Sequence, residues 1–408
     1  MKLYDDLKWR GLIQDISSPK LEKKLNNGGL TFYIGTDPTA DSLHLGHYSS
    51  FLITKRLANA GHTPLILVGG ATGLVGDPRG TNERNLAVKE EVEKNFLKLK
   101  EQVQKNFPYE VVNNYDWVKD ITIIDFLREY GKHINVNYML NKDTVKRQLT
   151  TGLSYAEFSY MLIQGLDFKH LHETRGVDLQ VAGSDQWGNI TTGIELTRKT
   201  TGDEIYGLTM PLITDSRGVK FGKSEGNAVW LDKTKTSAYE LYQFLLNSED
   251  DMVIEYLKRL TFLSKEEIEQ IEKEHLESPH LRIAQKKLAS EITIDLHGQK
   301  EYDNVLKITN SLFTGDVKNL TSSEIEQSFK GVPTTQIDTN KNIVDLLVES
   351  DITVSKREAR EFIKNNAITV NGDKILDENF EVTKNIAIDN KYIIIRKGKK
   401  KYYLIIFI

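Results

Sequence analysis

"TFYIGTDPTADSLHLGHYSSFLITKRLANAGHTPLILVGG", residues 31–70, sets two short apolar runs on either side of a helical stretch. "TFYIG" (31–35) and "PLILVGG" (64–70) read as buried strands running into loops. Between them Asp41 or Ser42 caps a helix that reaches about Ala60, and Gly61 stops it. The pattern continues outward, with "YEVVNN" (109–114) and "LQVAGS" (179–184) as further strands. Strands alternating with helices predict an α/β fold, a doubly wound, Rossmann-like parallel sheet that binds its ligand at the carboxyl ends of the strands.

The same stretch carries the first chemical motif. His44 and His47 stand three apart at a helix start, on one face of the first turn. Zinc would need further ligands, and the chain has no cysteine to supply them. A helix N-terminus after a buried strand instead offers free N–H groups and a positive dipole end to an anion. Gly46 lets a flat ligand approach, so "GTDPTADSLHLGH" reads as a nucleotide site.

Two later loops bear on the same question. "GGATGLVGDPRG" (69–80) places Gly70, Gly73 and Gly76 in a GxxGxxG spacing, with Glu90 and Glu91 about twenty residues on, as a nicotinamide site would want. Asp77, fixed between glycine and proline, suits an ammonium group better than a pyrophosphate. "RGVKFGKSEG" (217–226) nearly matches a P-loop, but the glycine that spacing requires falls on Arg217. What remains is a glycine-flexed loop carrying Lys220 and Lys223, charges able to meet a triphosphate.

The chain has 408 residues, net charge −4 and 39% hydrophobic content, which describes a globular protein of two or three domains. Absence of cysteine excludes disulfides, thiolate metal sites and cysteine nucleophiles and fits a reducing compartment. "MKLYDDLKWRGLIQD" lacks a signal-peptide pattern, and no apolar run approaches the ~18 residues of a membrane span, so a cytoplasmic location is expected. From about Thr236 to Lys330 apolar residues recur at helical spacing. "GVPTTQIDTNK" (331–341) reads as a structureless linker. From Lys341 to the end there are thirteen basic against ten acidic residues, a basic tail on an acidic body. That tail reads as two helices and a hairpin around Asn371-Gly372.

Taken together, "HLGH" and "KFGKS" resemble the paired signatures of class I aminoacyl-tRNA synthetases. "YIGTDPTADSLHLGH", "GGATGLVGDP", "NNYDW", "FSYMLIQGLDF" and "GSDQWGNI" resemble the bacterial tyrosyl branch, in the same order over essentially the whole chain. The resemblance implies a catalytic domain over 1–230 with a dimer-interface insert at about 116–170, then a helical domain over 231–330. After the 331–341 linker it implies a ribosomal-protein-like α+β RNA-binding domain over 342–408. It implies activation of tyrosine by ATP, transfer to tRNA, Mg²⁺ carried by the ATP with no protein-held metal or organic cofactor, and a homodimer.

The resemblance also implies site roles. Tyr33 and Asp167 would bind the substrate's phenolic hydroxyl, and Asp77, Tyr160 and Gln164 its ammonium group. Gln186 and Asp37 would stand near the amino acid's carboxyl group, and Gln180 on the tyrosine platform. Gly35, Asp37, Thr39, His44, His47, Gly183 and Asp185 would line the nucleotide side, with Lys220, Lys223 and Ser224 on the loop that meets pyrophosphate. Two departures stand out: Ile34 replaces the family's usual ribose-contacting cysteine, and the loop after Pro78 lacks its usual lysine, leaving Arg79 or Arg84 to substitute. In the tail, Lys356, Arg357, Arg360, Arg396, Lys397, Lys399, Lys400 and Lys401 are the candidates for RNA. The rival readings are an RNA-binding protein that has lost amino-acid activation, and a nicotinamide enzyme built on the glycine loop.

Overall fold

The computed structural model describes residues 1–77, 88–142, 145–146, 149, 152–224, 227–398 and 401–408, with the side chains of Lys223, Ser224 and Asn227 outside the description. Six strands form the main sheet: β1 (Asp15–Ile16), β2 (Thr31–Thr36), β3 (Thr63–Val68), β4 (Glu110–Asn113), β5 (Val177–Gly183) and β6 (Tyr206–Met210). Their order is β1-β6-β5-β2-β3-β4, parallel throughout except for β1, which runs antiparallel along β6. The order reverses between β2 and β5, where Tyr33 lies opposite Gln180. A doubly wound sheet opens its ligand crevice at such a reversal, outside the carboxyl ends of the two strands. The expected α/β class and four of these strands are observed; β6 and the short β1 were not singled out in the sequence.

Helix placement follows local capping chemistry. Ser154 and Glu157 form a reciprocal capping box that starts the 21-residue helix Tyr155–Arg175, and left-handed Gly176 ends it. Its face toward the sheet buries Phe168 and Leu171 among Tyr33, Leu65, Leu67 and Val177. This helix is part of the sheet's covering layer, so the expected insert over 116–170 takes in part of that layer; the short helical turns between Tyr115 and Leu140 pack on its Met161 and Leu162 through Ile134 and Met139.

The helix after β2 starts later than expected. It spans Leu45–Asn59, and its cap is His44 rather than Asp41 or Ser42. His44 is extended (φ −118°, ψ 170°), with Nδ1 accepting from Gly46 N at 3.1 Å; His47 Nδ1 accepts in return from His44 N at 3.2 Å. Imidazoles occupy both places of a capping box here, an arrangement outside the usual Ser/Thr/Asp/Asn preference at helix caps.

The chain divides into two compact units: residues 1–235 with 248–288, and 236–247 with 289–408. The helical stretch expected as one domain over 231–330 is therefore shared between them. In the second unit a five-stranded sheet has the order 373–374, 368–370, 392–397, 401–407, 334–337. Thr334–Ile337 pairs in parallel with Leu404–Phe407, so the expected linker contains an edge strand. "YIIIRK" (392–397) is buried on both sides because helices cover both faces. Ile393, Ile395 and Ile405 pack with Ile343, Leu347 and Ile363, while Tyr392, Ile394 and Leu404 pack with Ile308, Leu320 and Phe329. The helices Ile343–Glu349 and Lys356–Lys364 and the hairpin at Asn371-Gly372 (φ 48° and 91°) are as read from the sequence.

Candidate active site

A cavity of about 240 Å³ opens where β2 and β5 part. Its floor is polar and deeply buried. Tyr33 is 1% exposed, set edge-on to Phe168 with centroids 5.4 Å apart, and its hydroxyl has no hydrogen-bond partner among the described residues. Gln180 Oε1 is buried and likewise unpartnered. Beside them Asp167 accepts from Asn114 Nδ2 and Trp117 Nε1, both at 2.9 Å. Burial pushes the Asp167 carboxyl up to about 7 and the charge of Asp37 adds to this, against the pull of the Asn114 and Trp117 hydrogen bonds. Burial also raises the Tyr33 hydroxyl well above its ordinary value, with the charge of Asp167 adding to it. Unpaired polar atoms of this kind cost about 1–3 kcal/mol each, a penalty that a matching ligand removes.

One wall carries a second carboxylate. Asp37 accepts from Thr72 Oγ1 at 2.7 Å and from Tyr160 Oη at 2.9 Å, and Gln164 lines the same wall. Asp77 lies behind this surface, 4% exposed, accepting from Gln186 Nε2 at 2.8 Å and Asn189 Nδ2 at 3.4 Å. Asn189 Nδ2 also donates to Gln164 Oε1 at 3.0 Å. The structure thus brings Tyr160 to Asp37, while Asn189 links Gln164 to Asp77.

At the mouth, the His44 and His47 rings stack 3.9 Å apart above the helix terminus. Each Nδ1 accepts from an amide, so the neutral rings carry their protons on Nε2. The second signature packs directly on the first. Gly222 has φ +82°, and a Cβ there would meet Leu45 Cβ at 2.9 Å; one on Gly46 would meet the His44 ring at 2.9 Å. Leu45 N donates to Val229 O, and Leu231 N to Leu43 O, both at 2.8 Å, strapping the far side of the loop to the helix entry. Lys220 stands 49% exposed at the rim, its Nζ 3.6 Å from Asp185 Oδ2. Gly35, Thr39, Gly183, Asp185, Gln186 and Ile34 also line the cavity.

The glycine loop has a structural explanation. A Cβ on Gly69 would meet Thr72 Oγ1 at 2.0 Å and Asp37 Oδ1 at 2.4 Å, and one on Gly70 would meet Asn113 Oδ1 at 2.3 Å. These two glycines admit side chains of the site itself.

Residues 25–314 match the family of class I tRNA synthetases (W and Y), and residues 324–405 match the SYY-like C-terminal domain of tyrosine–tRNA ligase. A protein of Staphylococcus saprophyticus named tyrosine–tRNA ligase is 50% identical over 99% of this chain and 98% of its own. The chain belongs to the class I tRNA synthetases. Within that family, a Streptococcus thermophilus protein named tyrosine–tRNA ligase 2 is 64% identical over 73% of this chain and 98% of its own. The C-terminally truncated mitochondrial tyrosyl-tRNA synthetase of Aspergillus nidulans superposes with a TM-score of 0.68 at 32% identity, covering 76% of this chain and 94% of that one. A tyrosyl-tRNA synthetase of Archaeoglobus fulgidus complexed with L-tyrosine, at 17% identity and a TM-score of 0.55, shares the synthetase fold; the match covers 74% of this chain and 99% of that one.

Three residues of this synthetase site were quoted in motifs without a role: Asn114 and Trp117, from "NNYDW", hold Asp167, and Asn189, from "GSDQWGNI", ties Asp77 to Gln164. Polar residues clustered inside those motifs were the available signal. Lys223 and Ser224 form a two-residue strand paired with Asn227–Ala228, their side chains outside the description. Arg79, Arg84, Lys399 and Lys400 lie outside the described residues.

Of the basic candidates in the tail, Lys356 pairs with Asp345 at 2.6 Å and Arg360 with Glu378 at 3.0 Å, all four exposed. Arg357 and Lys401 are exposed as well. Lys397 turns inward: its ammonium donates to Ile352 O at 2.8 Å, approaches Glu358 at 3.4 Å and sits 4.3 Å from the Phe362 ring centroid. Arg396 packs beneath Gly315, at the carboxyl end of the helix Gln299–Thr314, with Nε buried. These two serve the module's interior, because a lysine or arginine stem packs as readily as its head group binds.

Proposed function

We propose that this synthetase is a tyrosine–tRNA ligase, which activates L-tyrosine with ATP and transfers it to the 3′ end of its tRNA. The unpartnered Tyr33 hydroxyl beside Asp167 on the cavity floor carries this reading. A phenolic O–H donates to Asp167 while its oxygen accepts from Tyr33, satisfying both buried groups at once. A phenylalanine ring in the same place leaves the Tyr33 hydroxyl unpaired and gives Asp167 no partner beyond Asn114 and Trp117. The substrate's ammonium meets Asp37, Tyr160 and Gln164, with Asp77 behind them acting through Gln186 and Asn189.

The tyrosine carboxylate is already a nucleophile, so attack on the α-phosphorus needs no general base. The new acyl–phosphate bond forms as the bond to pyrophosphate breaks, and the departing oxygens take up the charge. Thr39, His44, Lys220, Lys223 and Ser224 supply donors and positive charge there, and His47, Gly183 and Asp185 face the ribose. Ile34 offers the ribose no hydrogen bond, which costs about 1 kcal/mol of nucleotide contact. Mg²⁺ arrives on the ATP as part of the substrate.

The exposed face of helix Lys356–Lys364 and Lys401 support contact with tRNA phosphates. Ile123, Ile124, Leu127 and Val136 are 74, 65, 47 and 58% exposed, and this apolar patch supports a homodimer through the 116–140 segment. A role in translation and a chain without cysteine support a cytoplasmic site of action. Exchange of labelled pyrophosphate into ATP, run with each amino acid in turn, tests the assignment. Exchange driven by tyrosine and not by phenylalanine is the expected result; none with tyrosine would refute it.

A further inference from the structure

Beyond the cavity wall, one set of contacts governs the arm that presents Lys220. Residues 213–221 form a hairpin in which Asp215 N donates to Val219 O at 2.8 Å and Phe221 N to Ile213 O at 2.9 Å. Segment 249–256 grips that hairpin at three points. Glu249 accepts from Ser216 N at 2.9 Å, Tyr256 Oη donates to Thr214 O at 2.9 Å, and the Tyr256 ring packs on Phe221 with centroids 4.3 Å apart. Tyr256 is buried; burial, with Glu249, Asp215, Glu255 and Asp251 nearby, raises its pKa, so the hydroxyl remains a donor.

The helix carrying Tyr256, Val253–Leu260, is fixed at its other end to the helix that begins at His44. Arg56, in the last turn of Leu45–Asn59, donates to Thr261 O. Arg10 donates to Lys258 O, Thr261 O and Leu263 O at 3.0, 3.4 and 2.7 Å. Both guanidiniums are buried and share Asp6. Carbonyls at a helix carboxyl end are natural acceptors for such cations. Val253–Leu260 is therefore a spacer, one end on the first signature helix and its middle against the base of the second signature.

We infer that Tyr256 is a positioning residue for amino-acid activation, setting Lys220 relative to the His44 helix terminus through the hairpin 213–221. The inference rests on the ligase reading. A shift of about 1 Å at a charge-neutralising group lowers the rate of the chemical step while leaving tyrosine binding at the cavity floor untouched.

Tyr256→Phe, which keeps the ring and removes the donor, is measured in the full chain by tyrosine-dependent pyrophosphate exchange, alone and combined with Lys220→Ala. The expected result is a kcat about tenfold lower with KM for tyrosine within about twofold, as the loss of one hydrogen bond allows. The double variant should then be no slower than Lys220→Ala alone, because both changes act on one group. An unchanged kcat in Tyr256→Phe, or a double variant whose losses multiply, would overturn the inference. A change in melting temperature without the kcat effect would overturn it equally. Wild-type protein without tyrosine-dependent exchange fails the ligase reading itself, a distinct result.

Discussion

At the cavity floor Tyr33, Asp167 and Gln180 are each no more than 2% exposed, whereas at the mouth Lys220 keeps half its side chain in solvent and His44 and His47 are half-buried. The floor leaves polar atoms unmatched among the described residues in a buried place and holds Asp167 with neighbours of its own, Asn114 and Trp117. The mouth has its polar atoms engaged with backbone amides and a half-buried carboxylate at the rim, contacts that water can replace. Selectivity belongs at the floor, because an unpaired group is costly only where it is desolvated. Rate belongs at the mouth, where charge must meet phosphates that arrive and leave.

The largest effect should come from the mouth. His44→Asn replaces the imidazole with a residue that still caps a helix, so stability is retained while the Nε2–H donor is exchanged for a shorter amide that no longer reaches the phosphate. Pyrophosphate exchange should show a kcat about 100- to 1,000-fold lower. If KM for ATP rises instead at an unaltered kcat, the histidine serves binding rather than the departing charge.

At the floor, Asp167→Asn should reduce the preference for tyrosine over phenylalanine by about 100-fold, read as the ratio of kcat/KM values. It should also change the pH dependence of stability. The folded carboxyl titrates at about 7, above its unfolded value, so protonation favours the folded state. Its contribution is fully present below the unfolded pKa and is lost as pH rises through about 7. Relative to wild type, Asp167→Asn should gain on the order of 2 kcal/mol between pH 5 and 8, on top of a pH-independent loss from the acceptor that Trp117 or Asn114 gives up. Buried His62, whose pKa is lowered by burial, works in the opposite direction below about pH 6.5, but it is common to both proteins and cancels in the difference. Parallel pH–stability curves would show that Asp167 is ionised throughout.

Much of this contrast could be read from the sequence, for identifiable reasons. β2, β3 and β5 are nearly continuous apolar runs because helices cover both faces, and such runs stand out. β6, "YGLTM", is as deeply buried, but Gly207 sits where a Cβ would strike Ile190 at 2.3 Å, and a glycine in so short a run reads as a loop. Tyr160, Gln164 and Asp167 were legible as one helical face. That Tyr160 meets Asp37 is a fact of tertiary packing, which no spacing records. Thr334–Ile337 is an edge strand with one buried residue in four, so its polar sequence concealed it.

That hidden strand also redirects any truncation of the tail. A cut before Lys341 would strip Tyr392, Ile394 and Leu404 from Ile308, Leu320 and Phe329. Each apolar side chain so uncovered forfeits about 1.5–3 kcal/mol, so the truncated protein should be destabilised as well as defective in charging. Point variants separate the two effects and carry the smallest expected change. Arg357 makes no ion pair among the described residues, whereas Lys356 must exchange Asp345 for a phosphate. Exposed pairs of that kind are worth about 0–1 kcal/mol, so the exchange is cheap but not free. Arg357→Ala should therefore weaken tRNA binding a few-fold, Lys356→Ala somewhat less, and each should lower the slope of log affinity against log salt by about 1. Lys397→Ala should behave differently, since its ammonium is committed to Ile352 and Glu358: melting temperature falls while the salt slope holds. A salt slope that drops for Lys397→Ala and not for Arg357→Ala would move the RNA contact from the helix face to the sheet.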